Sequence, residues 1–526
     1  MGVSAGVVLS LPTLHSLAPD LSRDELLGRL VGVLSFANRN LAQLDGTVEL
    51  WAEELGSLVR LLDKVVIETS ILVLLASRIA DPSEPLREVL SEVRHKLASF
   101  ASSERTRVLL LRFPYTALSL GTTRIVLSSL GDPDEVTDEL IRQAIGIGYV
   151  DIAERLPFRT LDVRWVRSLL HPDASITVHD ILPYSILSSR THPIYMTRED
   201  AYAYTHSIFY LTDFGTRPLP DSLDHDHIAG IVDAALAWHL MTEDLDLLAE
   251  FLMCASLMNR PWSPYARFAW HLLARTWDEL GILPSPSFEP ASFSALGGPD
   301  ASAYAFKHFY HTTYLGGLLC ALLARHPQSG SHNQDGNWQT PLAIDPALVE
   351  LCECAIAGAD EFCRSGGVDR PQVPDNRGPV AFSETVSLAE IVARVAGRAS
   401  WSRPDARWLQ ILPDAPLNEE QLELVLSDAI IIQAVKEYDL PLLSTALVDA
   451  TRLSQAPSLT LVAATTFLAH QQVPSGAIGA HFVLDENLNT PLAAQVTHSL
   501  ATCLAIATRY LARYSAHCKG SAGSMT

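Results

Sequence analysis

The sequence predicts an all-α protein, and three observations carry that prediction. Leu, Val and Ile recur at three- and four-residue intervals through much of the 526-residue chain, the period of an amphipathic helix. It contains no run of short alternating strands, and no strand leads into a glycine-rich turn, so a Rossmann sheet, a P-loop and a β-sandwich are excluded. With 48% hydrophobic and 19% charged residues, the chain holds enough apolar surface for a large core and falls outside the disordered, collagenous and fibrous classes.

Taken in order, Leu55 to Ala80, Pro85 to Ala101 and Asp134 to Arg155 are the first clear helices. Val65 to Ala76 is the most apolar early stretch, but Glu68 and Thr69 interrupt it, so it is no membrane span. Tyr202 to Asp213 is a helix whose Asp213-Phe-Gly215 end reads as a C-terminal turn. Asp221 to His227 follows Pro220 and reads as the polar start of the next helix. Asp244 to Glu250 sets Asp246 and Glu250 on one face, and the default reading of that face is solvated. A long helix is expected from about Ser302 to Arg325, and another from Leu492 to Tyr514. Proline- and glycine-rich clusters at 218–220, 284–290, 326–346, 365–379 and 403–416 separate helical blocks. A boundary near 160–180 is expected to divide an N-terminal helical domain, 1–170, from a larger helical domain, 171–518. A small, polar, flexible tail is expected over 519–526.

Charge restricts the partners. Against 38 basic side chains stand 60 acidic ones, a formal net charge of −22, and such a surface repels phosphate backbones and anionic headgroups. Nucleic acid is therefore not expected as a partner, whereas a small apolar, neutral or cationic molecule is. Seven cysteines, an odd number scattered through apolar helices, read as reduced thiols. Cys352 and Cys354 point to different faces of a helix, which disfavours a structural zinc site. Met1 to Ser22 lacks a basic signal-peptide start, so a cytoplasmic protein is expected. The sequence does not set the oligomeric state.

The segment Ala463 to Ile478 resembles the QW repeat of triterpene cyclases: Ala463, Phe467, Leu468, Gln472 and Gly476 fit, while Ile478 stands where the repeat has tryptophan. Gln334 to Trp338 has the flavour of a second copy with different spacing. In such a motif the glutamine caps backbone groups at a helix end and the glycine permits a tight turn. The resemblance implies an α/α toroid, shared by terpenoid cyclases, prenyltransferase β-subunits and non-enzymatic proteins, over 171–518. Asp224 to Ala229 is similar to the acid motif of class II terpenoid cyclases, matching at Asp224, Asp226 and Ala229. That resemblance implies Asp226 as a protonated acid in an apolar cavity. The alternative is the capping start of a helix.

The candidate site residues come from polar and aromatic groups at helical spacing. Tyr202, His206, Phe209, Tyr210 and Asp213 share one face, with Tyr204 beside them, and this stripe is costly to bury unless every group has a partner. His206 is the expected acid–base group, oriented by Asp213. The Ser302–Arg325 helix adds Tyr304, His308, His311 and Tyr314. The two histidines, three apart, present nitrogens to one side and are expected as partners of His206, the tyrosines as donors and walls. The Ala201–His206 and Ala303–His308 segments echo one another. No cofactor is required by this reading, although His308 and His311, with His206 or His498, allow a divalent metal. The expectation is an enzyme acting on a hydrophobic small molecule or peptide by acid–base chemistry: cyclisation, isomerisation or elimination. The alternatives are a non-catalytic helical scaffold that binds a peptide or protein, and a histidine-ligated metal-dependent lyase or hydrolase.

Overall fold

A computed structural model describes residues 21–44, 61–152, 154–170, 177–258, 260–325, 342–368, 407–453, 456–479 and 491–522. Among these residues the regular structure is helical, with no strand and an isolated antiparallel bridge between Gln472 and Ile478. The all-α class is therefore observed.

The main helices of the first half are α1 (Arg23–Leu44), α2 (Leu61–Ser77), α3 (Glu84–Ala101), α4 (Glu104–Arg112), α5 (Thr122–Ser129), α6 (Glu135–Gly146) and α7 (Pro157–Leu170). Then come α8 (Arg198–Thr212), α9 (His225–Thr242), α10 (Leu245–Leu257), α11 (Pro264–Leu280) and α12 (Gly298–Arg325). The last are α13 (Pro346–Ser365), α14 (Glu419–Lys436), α15 (Leu440–Leu453), α16 (Leu459–Ala469) and α17 (Pro491–Ala522). The helix expected over Asp134 to Arg155 stops at Gly146, because Gly148 takes the left-handed φ of 85°, and a short helix, Tyr149–Ile152, follows.

Local chemistry sets the helix ends around the site. Thr197 caps α8 in a reciprocal box: its hydroxyl accepts from Asp200 N at 3.2 Å while the Asp200 carboxylate accepts from Thr197 N at 2.9 Å. The same helix ends at Asp213 in the left-handed region, φ 46°. Asp224 and Asp244 cap α9 and α10 through the amides of His227 and Leu247.

One apolar cluster runs from Leu26 to Leu511. Helix α12 packs on α1 and α2 as well as on α10. It comes close enough to α1 and α2 that a Cβ on Gly317 would meet Val33 at 2.9 Å and Leu72 at 3.1 Å. The core thus passes through the boundary expected near 160–180.

The QW-like turn behaves as its chemistry requires. Gln472 Nε2 donates to Ala355 O at 2.6 Å and to Gly476 O at 3.3 Å, tying the end of α16 to α13. Gly476 has φ 92°, and a Cβ there would lie 2.4 Å from the carbonyl oxygen of Gly358. Gln334 to Trp338, the second partial copy, lies outside the described residues, as does 523–526 of the expected tail, while 519–522 continue α17 as helix.

Candidate functional site

Helices α2, α7, α8, α10 and α12 enclose a cavity of about 1210 Å³. Its walls are aliphatic and aromatic, with Ile71, Trp165, Phe209, Phe214, Leu315 and Leu318 among them, and its polar groups include Glu68, Asp162, Tyr202, His206, Glu250 and His311. A large apolar cavity with a few convergent polar groups and perturbed titratable side chains is the usual form of a small-molecule site.

His206 on α8 has its Nδ1 2.8 Å from the carbonyl oxygen of Tyr202. A carbonyl only accepts, so Nδ1 carries the proton and Nε2 keeps its lone pair. Rings of Phe158, Tyr202, Phe209 and Tyr210 surround the imidazole at 5.8 to 6.1 Å. Burial, with the Arg159 charge, lowers its pKa to about 4, so at neutral pH it is uncharged.

Glu250 on α10 lies beside it, with Oε2 3.6 Å from His206 Nδ1, and accepts a hydrogen bond from the Thr205 hydroxyl. Burial and the neighbouring Asp246 charge push its pKa well up, which keeps the carboxyl protonated near neutrality. The arrangement sets a neutral base next to an undissociated acid.

Behind this pair runs a charged network. His311 Nδ1 is 2.9 Å from Glu68 Oε2, and its Nε2 is 3.6 Å from Asp246 Oδ1. Burial opposes the imidazolium, but the Glu68 charge and hydrogen bond and the Asp246 charge outweigh it and raise the His311 pKa to about 9. Glu68 moves the opposite way: burial would raise it, and the His311 charge holds it below the usual carboxylate range. Tyr202 donates to Asp246 Oδ2 at 2.6 Å and accepts from Arg198 at 2.9 Å, while Thr312 donates to Asp246 Oδ1 at 3.1 Å. Further along the wall, Tyr210 hydrogen-bonds Asp162, whose pKa burial pushes up to about 6.

Of the residues singled out in the sequence, Tyr202, His206, Phe209, Tyr210, His311 and Tyr314 line this one cavity. Tyr314 shares a hydrogen bond with Thr69 at 3.2 Å. Others are elsewhere. Asp213 does not orient His206: its carboxylate takes Trp165 Nε1 at 2.7 Å, Arg78 at 3.0 Å and the Thr216 hydroxyl at 2.5 Å. Seven residues of helix put it about 10 Å from His206 along the axis, so it ties the end of α8 to α2 and α7. His308 is turned away, with Nδ1 2.9 Å from Ser287 Oγ and its ring 4.2 Å from Tyr304. Tyr304 also packs on Phe288, outside the cavity. Tyr204 is buried against Phe251, also outside the cavity. Asp226 is exposed in the first turn of α9, at the capping start of that helix and outside the cavity, so the apolar setting implied by the cyclase resemblance is not present there. His206, His308 and His311 do not converge as a three-histidine set. Among the described residues no three His, Cys, Asp or Glu side chains are gathered to hold a metal ion.

The sequence reading missed Glu68, Asp162 and the burial of Asp246 and Glu250, which are 3% and 1% exposed. A signal was present. Leu, Ala, Phe and Met occupy every face of α10, the mark of a buried helix, so its carboxylates had to be buried too. Glu68 inside the apolar run of α2 is the same signal.

The fold and the cavity define a helical protein with one large, partly open, mostly apolar cavity that several titratable side chains line. The family model described as a domain of unknown function, DUF6895, matches residues 30–321, more than half of the chain, and the chain belongs to that family. The matched segment contains the whole cavity lining, Lys64 to Leu318. No curated protein and no solved structure matches the chain. Among the described residues no helix is long and apolar enough to cross a membrane.

Proposed function

We propose that this protein is an enzyme that acts on a hydrophobic small molecule by general acid–base chemistry, an isomerisation, elimination or cyclisation, with its thiols reduced in the cytoplasm. The observation that carries the reading is the pairing, in one apolar cavity, of a neutral imidazole with a free Nε2 lone pair and a protonated carboxyl. Groups of opposite role whose environments push their pKa values apart are what proton transfer at neutral pH needs. His206 Nε2 takes a proton from the substrate carbon skeleton, and Glu250 supplies one to the developing anion or leaving group. Tyr202 and Tyr210, whose hydroxyls are held by Asp246 and Asp162, present ring faces to the bound molecule. His311, with both nitrogens engaged by carboxylates, is a positioning residue that fixes Asp246 and, through it, Tyr202 and the charge that keeps Glu250 protonated. The QW-like turn supports a toroid-related helical frame, and no step depends on it.

The test is incubation of the purified protein in D2O with mixed apolar extracts, followed by mass spectrometry for compounds that gain solvent deuterium or change structure. Conversion should fall about 10²- to 10⁴-fold in His206→Ala and in Glu250→Gln, the usual scale for losing one general acid or base. Conversion that survives His206→Ala removes the imidazole from the chemistry.

A further inference from the structure

Arg159, in the first turn of α7, lines the cavity and keeps its side chain 59% exposed, which places the guanidinium at the mouth. The guanidinium lies over the Phe158 ring at 4.8 Å, and that ring meets the His206 imidazole edge-on with centroids 6.1 Å apart. Phe158 therefore joins the cation to the base. The pairing of Arg159 with Asp162 spans 3.9 Å, beyond hydrogen-bond reach, and among the described residues Arg159 donates no hydrogen bond. Five N–H donors are thus available at the opening of an apolar cavity.

The carboxylates of the lining do not answer this cation. Glu68 is matched by His311 at 2.9 Å and Lys64 at 3.6 Å, and Glu250 is protonated. Asp162 is hydrogen-bonded by Tyr210, and Asp200 accepts from the Thr197 amide and hydroxyl at 2.9 and 2.8 Å. Glu199 is exposed on the first turn of α8, seven residues before His206 and so about 10 Å from it along the axis.

We propose that the ligand of this cavity is an apolar carboxylic acid whose carboxylate is held at the mouth by Arg159 and whose hydrocarbon body runs inward past Phe158 to His206. The proposal rests on the acid–base reading of the cavity and names the substrate class for it. A guanidinium presents two parallel N–H groups that match the two oxygens of a carboxylate, and it gives up water more readily than an ammonium does. Contact with the Phe158 ring holds the fork in place before the ligand arrives. Lys64 and Arg155, on the same lining, add positive field at a carboxylate and would repel an ammonium head. A carboxylate carried deeper would meet Glu68, held ionised by His311, so the head stays at the mouth while the chain takes the aliphatic and aromatic walls. A net charge of −22 favours neutral or cationic ligands over the surface as a whole, but the groups at the opening set the local preference.

The experiment is displacement of the fluorescent apolar probe N-phenyl-1-naphthylamine from the full chain at neutral pH by three ten-carbon molecules, decanoate, decan-1-ol and decylamine. Decanoate should displace the probe at a concentration about 10- to 100-fold below that of the alcohol, the scale of a hydrogen-bonded charge pair, and decylamine should do no better than the alcohol. High salt should shrink the preference, because the mouth is open to solvent. Arg159→Met, which keeps the side-chain stem over Phe158, should bring decanoate to the level of the alcohol and leave probe and alcohol binding unchanged, while Arg159→Lys should keep part of the preference. Alcohol or amine that matches decanoate on the wild type, or a decanoate preference that survives Arg159→Met, overturns the carboxylate assignment. In either case probe binding still upholds the apolar cavity, and conversion lost in His206→Ala still upholds the chemistry. A decanoate preference that depends on Arg159 in a protein that converts no carboxylic acid supports the head site and removes the acid–base reading. A wild type that binds neither probe nor decanoate overturns both.

Discussion

At the scale of single residues, neighbouring imidazoles are pushed in opposite directions by their surroundings. His206 meets aromatic rings and a backbone carbonyl, so burial prevails and its pKa falls to about 4. His311 meets two carboxylates, so charge prevails and its pKa rises to about 9. The consequence for stability has opposite signs. The unfolded chain protonates histidine near 6.5, so the stability held by neutral His206 is intact above about 6.5 and is lost as pH falls towards 4. His192 and His239, buried with pKa values near 3, add to that acid-side loss. Stability held by the His311 cation is full below about 6.5 and is lost as pH rises through about 9. The contribution of these histidines to stability should therefore be greatest near 6.5 and fall on both sides in thermal unfolding, and His311→Gln should flatten the alkaline limb, to which the raised carboxyls of Glu250 and Asp162 also contribute. An unchanged alkaline limb in that variant would contradict the Glu68–His311–Asp246 arrangement.

At the scale of elements, the helices and their polar stripes were legible, and the direction in which a given stripe faces was legible only in part. The period of three and four residues located α3, α8 and α12 to within a few residues, because periodic burial needs no knowledge of the partner helix, whereas α17 runs eight residues past its expected end at Tyr514. Which partner each polar group meets depends on packing between distant segments. His206 and His308 sit in similar local sequences, yet one faces the cavity and the other Ser287. Asp213 shares the stripe of His206 but turns to Trp165 and Arg78, which no local pattern could reveal. The turn after α16 was legible in mechanism, since a glutamine followed by a tight glycine turn has few uses. There, Gly476→Ala should destabilise the protein by about 2 to 3 kcal/mol, because the added methyl meets the Gly358 carbonyl and φ 92° disfavours any side chain. Thermal unfolding checks this, and a midpoint equal to the wild type's would contradict the close approach of α13 and α16.

At the scale of the whole molecule, composition foretold a large helical core, and one contiguous cluster from Leu26 to Leu511 fulfils it. The partition of that core was not legible. Helices α1 and α2 complete the walls around α12, so residues more than 200 positions apart, such as Glu68 and His311, meet in one network. The distribution of charge was equally hidden in the total: the chain carries a net −22, whereas residues 104–170 balance nine arginines against nine carboxylates.

The central claim is that His206 waits in the cavity as a neutral base. Nitrogen-15 NMR of histidine-labelled protein, with His206→Gln to assign the signal, measures it directly. The expected result is a neutral ring protonated at Nδ1 through neutral pH, gaining a second proton only near pH 4. A His206 ring that titrates near 6.5, or that carries its neutral proton on Nε2, would contradict the account.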